Sequence, residues 1–183
     1  MGSLLDYKDA IPTTHPSQAP RMARWIAPHL GFFKINVDGV TFDDGKKSSI
    51  GVVIRDCFGN PVATMCKTLL AVYTAETTEA FALHQGVLLA AKMKLSHAIF
   101  ESDSLSLIQS LNTSKDSSEV GLILQDIRSA KLSFSWCLFQ QLKRDGNRAA
   151  HELAREASLL SSTQVWKGVT PPLIQHVIIN ESL

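Results

Sequence analysis

A carboxylate inside an apolar, strand-like segment constrains this chain more than any other feature. The segment Lys34-Ile35-Asn36-Val37-Asp38 lies between Gly31 and Gly39 and alternates apolar with polar residues, which is typical of a β-strand bounded by turns. An ionised aspartate within a sheet is costly unless a cation or hydrogen bonds compensate its charge. Asp38 is therefore either a ligand of a bound cation or part of an Asp-Gly turn that hydrogen-bonds its own backbone.

Composition narrows the class of protein. The 183 residues are 45% hydrophobic, enough for one domain with a full core and some excess at the ends. The formal net charge of +1 gives no strong field toward nucleic acid or an anionic membrane, so such binding would need a local patch. No apolar run approaches the ~18 residues of a membrane span, so no membrane partner is expected.

The three cysteines are odd in number, widely spaced and set in apolar runs. This pattern favours reduced core residues over a disulfide framework or a zinc site. We therefore expect an intracellular protein, in the nucleus, the cytoplasm or an organelle, and we expect it to be a monomer.

Pattern changes along the chain divide it into three parts. Residues 1–24 are rich in proline and polar residues without a periodic apolar face, which predicts a disordered extension. Residues 25–162 form the predicted domain. Residues 163–183 have apolar residues but no clear period, and we expect this tail to pack on or beside the domain.

Within the domain, the periodicity predicts three antiparallel strands followed by alternating helices and strands. The predicted later elements are a helix over 74–93, a strand over 98–102, two further helices, a strand over 134–142 and a last helix from about 150. A strand that lies between two helices indicates parallel pairing, and a right-handed crossover places the fourth strand beside the first. The fold class is therefore α/β with a mixed sheet.

Two further acids occupy positions that can meet Asp38. Glu79 lies on the apolar stripe of the first helix and should face the sheet, although it could instead interact with the helix N-terminus. Asp103 follows the fourth strand, at the edge where open α/β sheets bind ligands, although it could instead cap the next helix.

If these three acids converge, mutual repulsion prevents all of them from ionising unless cations bind among them. Carboxylate oxygens are hard ligands that favour Mg²⁺ or Mn²⁺. Two such ions about 3.5 to 4 Å apart activate a water and stabilise the leaving oxygen in phosphodiester cleavage.

Several motifs together resemble a known family. They are Trp25-x-Ala27-Pro28-x-x-Gly31-x-Phe33-Lys34-Ile35-Asn36-Val37-Asp38-Gly39, then Gly51-Val52-Val53-Ile54-Arg55-Asp56, Glu79-Ala80-x-Ala82-Leu83, Glu101-Ser102-Asp103-Ser104 and Arg144-x-x-Asn147-x-x-Ala150-His151-x-Leu153-Ala154. From Trp25 to about Leu160 the chain resembles the ribonuclease H-like domains, and within them the plant reverse transcriptase-like group.

This resemblance implies a five-stranded mixed sheet of order 3-2-1-4-5, with strands 1 to 3 antiparallel and helices on its flanks. It also implies Mg²⁺- or Mn²⁺-dependent hydrolysis of the RNA strand of RNA–DNA hybrids, with Asp38, Glu79 and Asp103 as metal ligands and catalytic residues. His151, the fourth catalytic candidate, stands where bacterial-type ribonucleases H carry a carboxylate. Imidazole is a poorer Mg²⁺ ligand. His151 could contact the metal directly, assist product departure or cap its helix.

Nucleic-acid contacts are expected from a set of basic and amide side chains near the site and the first hairpin. The set is Asn36, Lys46, Lys47, Arg55, Lys143, Arg144, Asn147 and Arg148. The basic members could instead form solvated turns; hybrid recognition would depend on phosphates, 2′-hydroxyls and groove shape.

Two competing functions remain open. One is a nucleic-acid-binding or interaction module that keeps the fold but has lost useful turnover, which His151 and the near-neutral charge favour. The other is a nuclease or exonuclease directed at DNA on the same fold.

Overall fold

The computed structural model describes residues 24–42, 47–113 and 120–181. Three initial strands are followed by helices and strands in the order that the periodicity predicts, with two consecutive helices before the fifth strand. In chain order they are β1 (Phe33–Thr41), β2 (Ser48–Arg55), β3 (Pro61–Thr68), α1 (Ala75–Lys92), β4 (His97–Ser102), α2 (Leu105–Asn112), α3 (Gly121–Ala130), β5 (Trp136–Gln141), α4 (Arg148–Ala157), β6 (Gln164–Lys167) and α5 (Pro172–Glu181). Single 3-10 turns lie at Lys131–Ser133 and Arg144–Gly146.

The strands form one mixed sheet in the order β5-β4-β1-β2-β3-β6. β4 pairs in parallel with both β1 and β5, and the remaining neighbours are antiparallel. The order predicted for the first five strands is therefore confirmed. The sheet has six strands instead of five, because Gln164–Lys167 pairs with the open edge of β3.

The C-terminal segment also contains a helix that the sequence reading did not identify. Ile174, Val177 and Ile178 of α5 are buried at helical spacing, and Pro172 occupies the first helical position, where a missing N–H is harmless. Together, β6 and α5 make the described part of the segment after residue 163 integral to the sheet and its cover.

Two apolar layers fill the space between the sheet and the helices. Ile35 and Val37 of β1 face α1, where Gly86 allows the helix to approach both side chains closely. On the other face, Val53 and Leu153 belong to a second cluster between the sheet, α4 and α5. Alternation along β1 therefore directs Lys34, Asn36 and Asp38 toward the face covered by α4 and α5.

None of the helices in the three described ranges has the length and hydrophobicity needed to cross a bilayer. The cysteines are unpaired; Cys66 is buried, whereas Cys57 and Cys137 are only partly buried.

Candidate metal centre

The structure brings the three predicted acids together. Ligand oxygens of Asp38, Glu79 and Asp103, which we call the carboxylate cluster, all lie within 4.8 Å of one another. The β1–β4 ladder explains the meeting of two of them, because Asn36 pairs with Glu101 and each aspartate follows two residues later. Both aspartates thus extend past the last pair of the parallel ladder, at the same edge of the sheet.

Glu79 reaches the cluster because α1 passes very close to β1. A Cβ at Gly39 would lie 2.7 Å from the Thr78 carbonyl carbon, so only glycine permits this approach. The Gly39 N–H donates to Glu79 Oε1 at 3.2 Å, and the Ser102 hydroxyl donates to Glu79 Oε2 at 3.2 Å. Both carboxylate oxygens are therefore fixed in orientation.

The cluster carries more negative charge than its surroundings compensate. Burial, together with the charges of Asp38 and Asp103, raises the pKa of Glu79 to about 9. Burial and Asp38 also raise the pKa of Asp103, although Arg144 and His151 act in the opposite direction. Among the described residues, no lysine or arginine forms an ion pair with these carboxylates.

These observations agree with a divalent-cation site. The donors are hard carboxylate oxygens, they are close enough to share an ion, and their repulsion would be relieved by positive charge. The residues present therefore fit Mg²⁺ or Mn²⁺.

His151 lies beside the cluster, on the first turns of α4. Its Nδ1 is 2.8 Å from Asp38 Oδ2. This hydrogen bond raises the pKa of His151, and burial opposes it only in part. The ring does not cap its helix, because its side-chain partner is an aspartate on β1.

The basic candidates that the structure describes on the surface are Lys47, Lys143, Arg144 and Arg148. Arg144 is close enough to the cluster to act on both Asp103 and His151. Lys47 donates from Nζ to the Ser158 carbonyl at 2.9 Å. Lys46 lies outside the described residues.

Three of the residues predicted to contact nucleic acid are not accessible at the protein surface. Asn36, Arg55 and Asn147 are 0%, 1% and 1% exposed. The Asn36 Oδ1 accepts from Arg55 Nη2 at 2.9 Å and from Trp25 Nε1 at 3.0 Å. Asn147 donates to the Val37 carbonyl at 2.8 Å. These side chains are buried and bond to other groups of the protein, so they offer no exposed contact to a nucleic acid.

Asn36 and Arg55 belong to a buried polar group that the sequence reading missed, here called the Glu101 network. Its members are Trp25, Lys34, Asn36, Arg55, Glu101, Gln140 and Glu181. Strand alternation signals part of it, because Lys34 and Asn36 share the face of Asp38, and Glu101 shares the face of Asp103. Ser102 was also missed, although alternation directs it away from Asp103 and toward α1.

Comparisons with known proteins agree with this geometry. Residues 36–157 match the family described as Reverse transcriptase-like. An Arabidopsis thaliana protein named "Putative ribonuclease H protein" is 28% identical over 142 residues, which cover 77% of this chain. The matched region spans only 23% of that relative's length.

Solved structures show the same fold. RNase H1 of the archaeon Halobacterium salinarum superposes with a TM-score of 0.64 at 22% identity, covering 69% of this chain and 97% of that one. LC11-RNase H1, isolated from compost and solved in complex with an RNA/DNA hybrid, gives a TM-score of 0.62 at 21% identity, covering 68% and 95%.

Proposed function

Because this chain belongs to the reverse transcriptase-like family and has a ribonuclease H-like fold, we propose that it is an endonuclease that hydrolyses the RNA strand of RNA–DNA hybrids with divalent cations. The observation that supports this proposal most directly is the carboxylate cluster, whose oxygens lie within 4.8 Å of one another. Among the described residues, none of these oxygens forms an ion pair with lysine or arginine. The LC11 enzyme, which shares the fold, was solved in complex with a hybrid.

Asp38, Glu79 and Asp103 would hold the cations. Bound Mg²⁺ or Mn²⁺ in pairs supplies an activated water and charge stabilisation of the leaving oxygen. The chain's own contribution is to keep the three carboxylates in place: the Gly39 N–H and the Ser102 hydroxyl orient Glu79. This preorganisation avoids reordering charged groups as the reaction proceeds.

His151 would keep Asp38 in a single orientation and hold a proton beside the reacting phosphate. Its Nδ1 contact with Asp38 Oδ2 occupies one oxygen of that carboxylate and leaves the other for the cluster. A proton on the ring also places a positive charge where the substrate is anionic.

Arg144, with Lys143 and Arg148, would contact substrate phosphates next to the cluster. All three are exposed, and Arg144 acts electrostatically on Asp103. Such contacts position the strand without reading its sequence, and each makes the affinity depend on salt. We propose that the domain acts on its substrate as a monomer.

A second candidate function has one observation in its favour. His151 takes the place of a fourth carboxylate, so the site has one negatively charged ligand fewer. His151 also hydrogen-bonds to one oxygen of Asp38, which is then less available to a cation. A domain with this change could bind hybrids without cleaving them at a useful rate.

One experiment separates these functions. The full chain is incubated with an end-labelled RNA–DNA hybrid, with duplex DNA and with single-stranded RNA, first in Mg²⁺ and then in Mn²⁺. Internal cleavage of the RNA strand in the hybrid alone, lost in Asp38→Asn, is the expected result. Asp126→Asn, which makes the same change at an exposed position on α3, serves as the matched control. Hybrid binding without cleavage in either metal would support the binding module instead.

A further inference from the structure

Besides the His151–Asp38 contact, three side-chain hydrogen bonds between described residues join α4, or the N-cap residue before it, to the sheet. They are Asn147 Nδ2 to the Val37 carbonyl, Ser49 Oγ to the Ala154 carbonyl and Thr68 Oγ1 to the Ala157 carbonyl. The helix also approaches β2 closely at Gly51, where a Cβ would meet the backbone of Ala150 and Ala154. These contacts fix the position of α4 along most of its length.

Only the first of these ties lies next to the carboxylate cluster. Val37 immediately precedes Asp38, and its carbonyl accepts the Asn147 amide just beyond the last pair of the β1–β4 ladder. The Asn147 carbonyl in turn accepts the His151 N–H at 3.1 Å. One residue therefore connects the strand that carries Asp38 to the helical turn that carries His151.

Stability alone does not explain why an asparagine occupies position 147. It is 1% exposed, and no described group donates to its Oδ1. A buried acceptor without a partner is unfavourable, and an apolar side chain would avoid that cost. Such a side chain could not donate to the Val37 carbonyl, so the tie itself is the feature that asparagine provides.

We propose that Asn147 is a positioning residue of the metal centre, which holds His151 at hydrogen-bonding distance from Asp38. Its importance for turnover rests on the function proposed above. Without the tie, the start of α4 loses its hydrogen bond to β1, and the 2.8 Å contact between His151 Nδ1 and Asp38 Oδ2 lengthens. Asp38 then loses the partner that orients it. Misplacement of a reacting group by about 1 Å can cost roughly 100-fold in rate.

The test compares Asn147→Ala with Thr68→Val. Both variants remove one side-chain hydrogen bond between the sheet and α4, but Thr68 bonds near the far end of the helix. The measurements are kcat and KM on the hybrid, the melting temperature, and the side-chain ¹H–¹⁵N NMR spectrum of His151 without divalent ions. We expect Asn147→Ala to lower kcat by roughly 30- to 100-fold with little change in KM. We also expect its His151 ring nitrogens to shift toward the values of a free imidazole.

The Thr68→Val variant should lose a similar amount of thermal stability while keeping kcat and the His151 spectrum of the parent protein. Equal losses of kcat in the two variants, or an unchanged His151 spectrum in Asn147→Ala, would overturn the positioning role. If Asn147→Ala does not fold, Asn147→Ser, which keeps a shorter donor, is measured in the same way. The NMR comparison needs no turnover, so it tests the positioning role even in a protein that fails to cleave hybrids.

Discussion

Two acidic regions lie side by side on the same face of the sheet, and they differ in how their charge is balanced. In the Glu101 network, Glu101 is 1% exposed and accepts from Lys34 Nζ at 2.9 Å, from Asn36 Nδ2 at 2.9 Å and from Gln140 Nε2 at 2.7 Å. In the carboxylate cluster, two residues further along the chain than Asn36 and Glu101, Asp38 bonds to the His151 imidazole, and Glu79 accepts from the Gly39 N–H and the Ser102 hydroxyl.

The difference indicates what each region does. Lys34 and Arg55 supply the positive charge that compensates Glu101, and the network of Glu101 connects β1, β2, β4 and β5. This carboxylate therefore needs no ligand to balance its charge. In the described part of the chain, the carboxylate cluster forms no ion pair with lysine or arginine, and the pKa of Glu79 rises to about 9 as a result of burial and repulsion. Divalent cations bound from solution, as proposed above, would supply the missing positive charge.

Removal of one carboxylate from the cluster should abolish activity without harming the fold. We expect Asp38→Asn to reduce hybrid cleavage roughly a thousandfold or more, which corresponds to about 4 kcal/mol of transition-state stabilisation. The ion-free variant should be at least as stable as the parent protein, because a repulsive charge has been removed. Steady-state kinetics and thermal unfolding in a chelator measure both effects. A large loss of stability would show that Asp38 has the same structural role as Glu101.

Removal of the charge from Glu101 should have the opposite effect. Glu101→Gln leaves Lys34 and Arg55 buried with less compensation, and breaking a buried ion pair in this way costs about 3 to 5 kcal/mol. Denaturant unfolding measures this loss. Glu76→Gln, at an exposed position in the first turn of α1, is the matched control and should change little. If the two variants were equally stable, the compensated charge would have no structural role.

Stability without divalent ions should fall as the pH rises. The pKa values of Glu79, Asp103 and His151 are all raised in the folded protein. Each group therefore holds a proton when folded at a pH where the unfolded chain has released it, and the free energy of unfolding decreases with pH. For Glu79 this window extends from the ordinary value of 4.5 to about 9.

Divalent ions should flatten this dependence, because they replace the protons in the cluster. Melting temperatures between pH 5 and 9, in a chelator and in Mg²⁺, provide the measurement. Glu79→Gln should show a shallower decline in the chelator than the parent protein. A melting temperature in the chelator that does not depend on pH would contradict the charge imbalance.

The smallest effect is expected from a change that makes the cluster more acidic. His151→Asp removes the imidazole and adds a carboxylate beside Asp38, so the ion-free protein should be slightly destabilised. Divalent-ion affinity should rise about tenfold, equivalent to about 1.4 kcal/mol. Isothermal titration with Mg²⁺ or Mn²⁺ measures this affinity. Weaker ion binding by His151→Asp would indicate that the imidazole itself contributes to the site.

The sequence predicted the parts of this molecule that leave a periodic or local signal. Alternation in β1 and helical spacing in α1 identified these elements, and the crossover rule placed β4 beside β1. The same reasoning grouped Asp38, Glu79 and Asp103, because each lies at a position that the sheet and its first covering helix bring to one edge.

Other features depend on contacts between distant segments. The four residues of β6 are too few for a periodic pattern, and they are a strand only because β3 offers an open edge. Asn36, Arg55 and Asn147 were predicted as nucleic-acid contacts from their positions near the site and the first hairpin. Their burial depends on contacts between distant segments: Asn36 with Trp25 and Glu101, Arg55 with Trp25, and Asn147 with Val37.

Arg55 has a further consequence for the shape of the molecule. The Trp25 ring stacks on its guanidinium at 3.7 Å, and Glu181 forms an ion pair with it from the last turn of α5. The first and last parts of the described fold therefore meet at one buried side chain. A substitution that shortens the Arg55 side chain would therefore release contacts at both ends of the described fold at once.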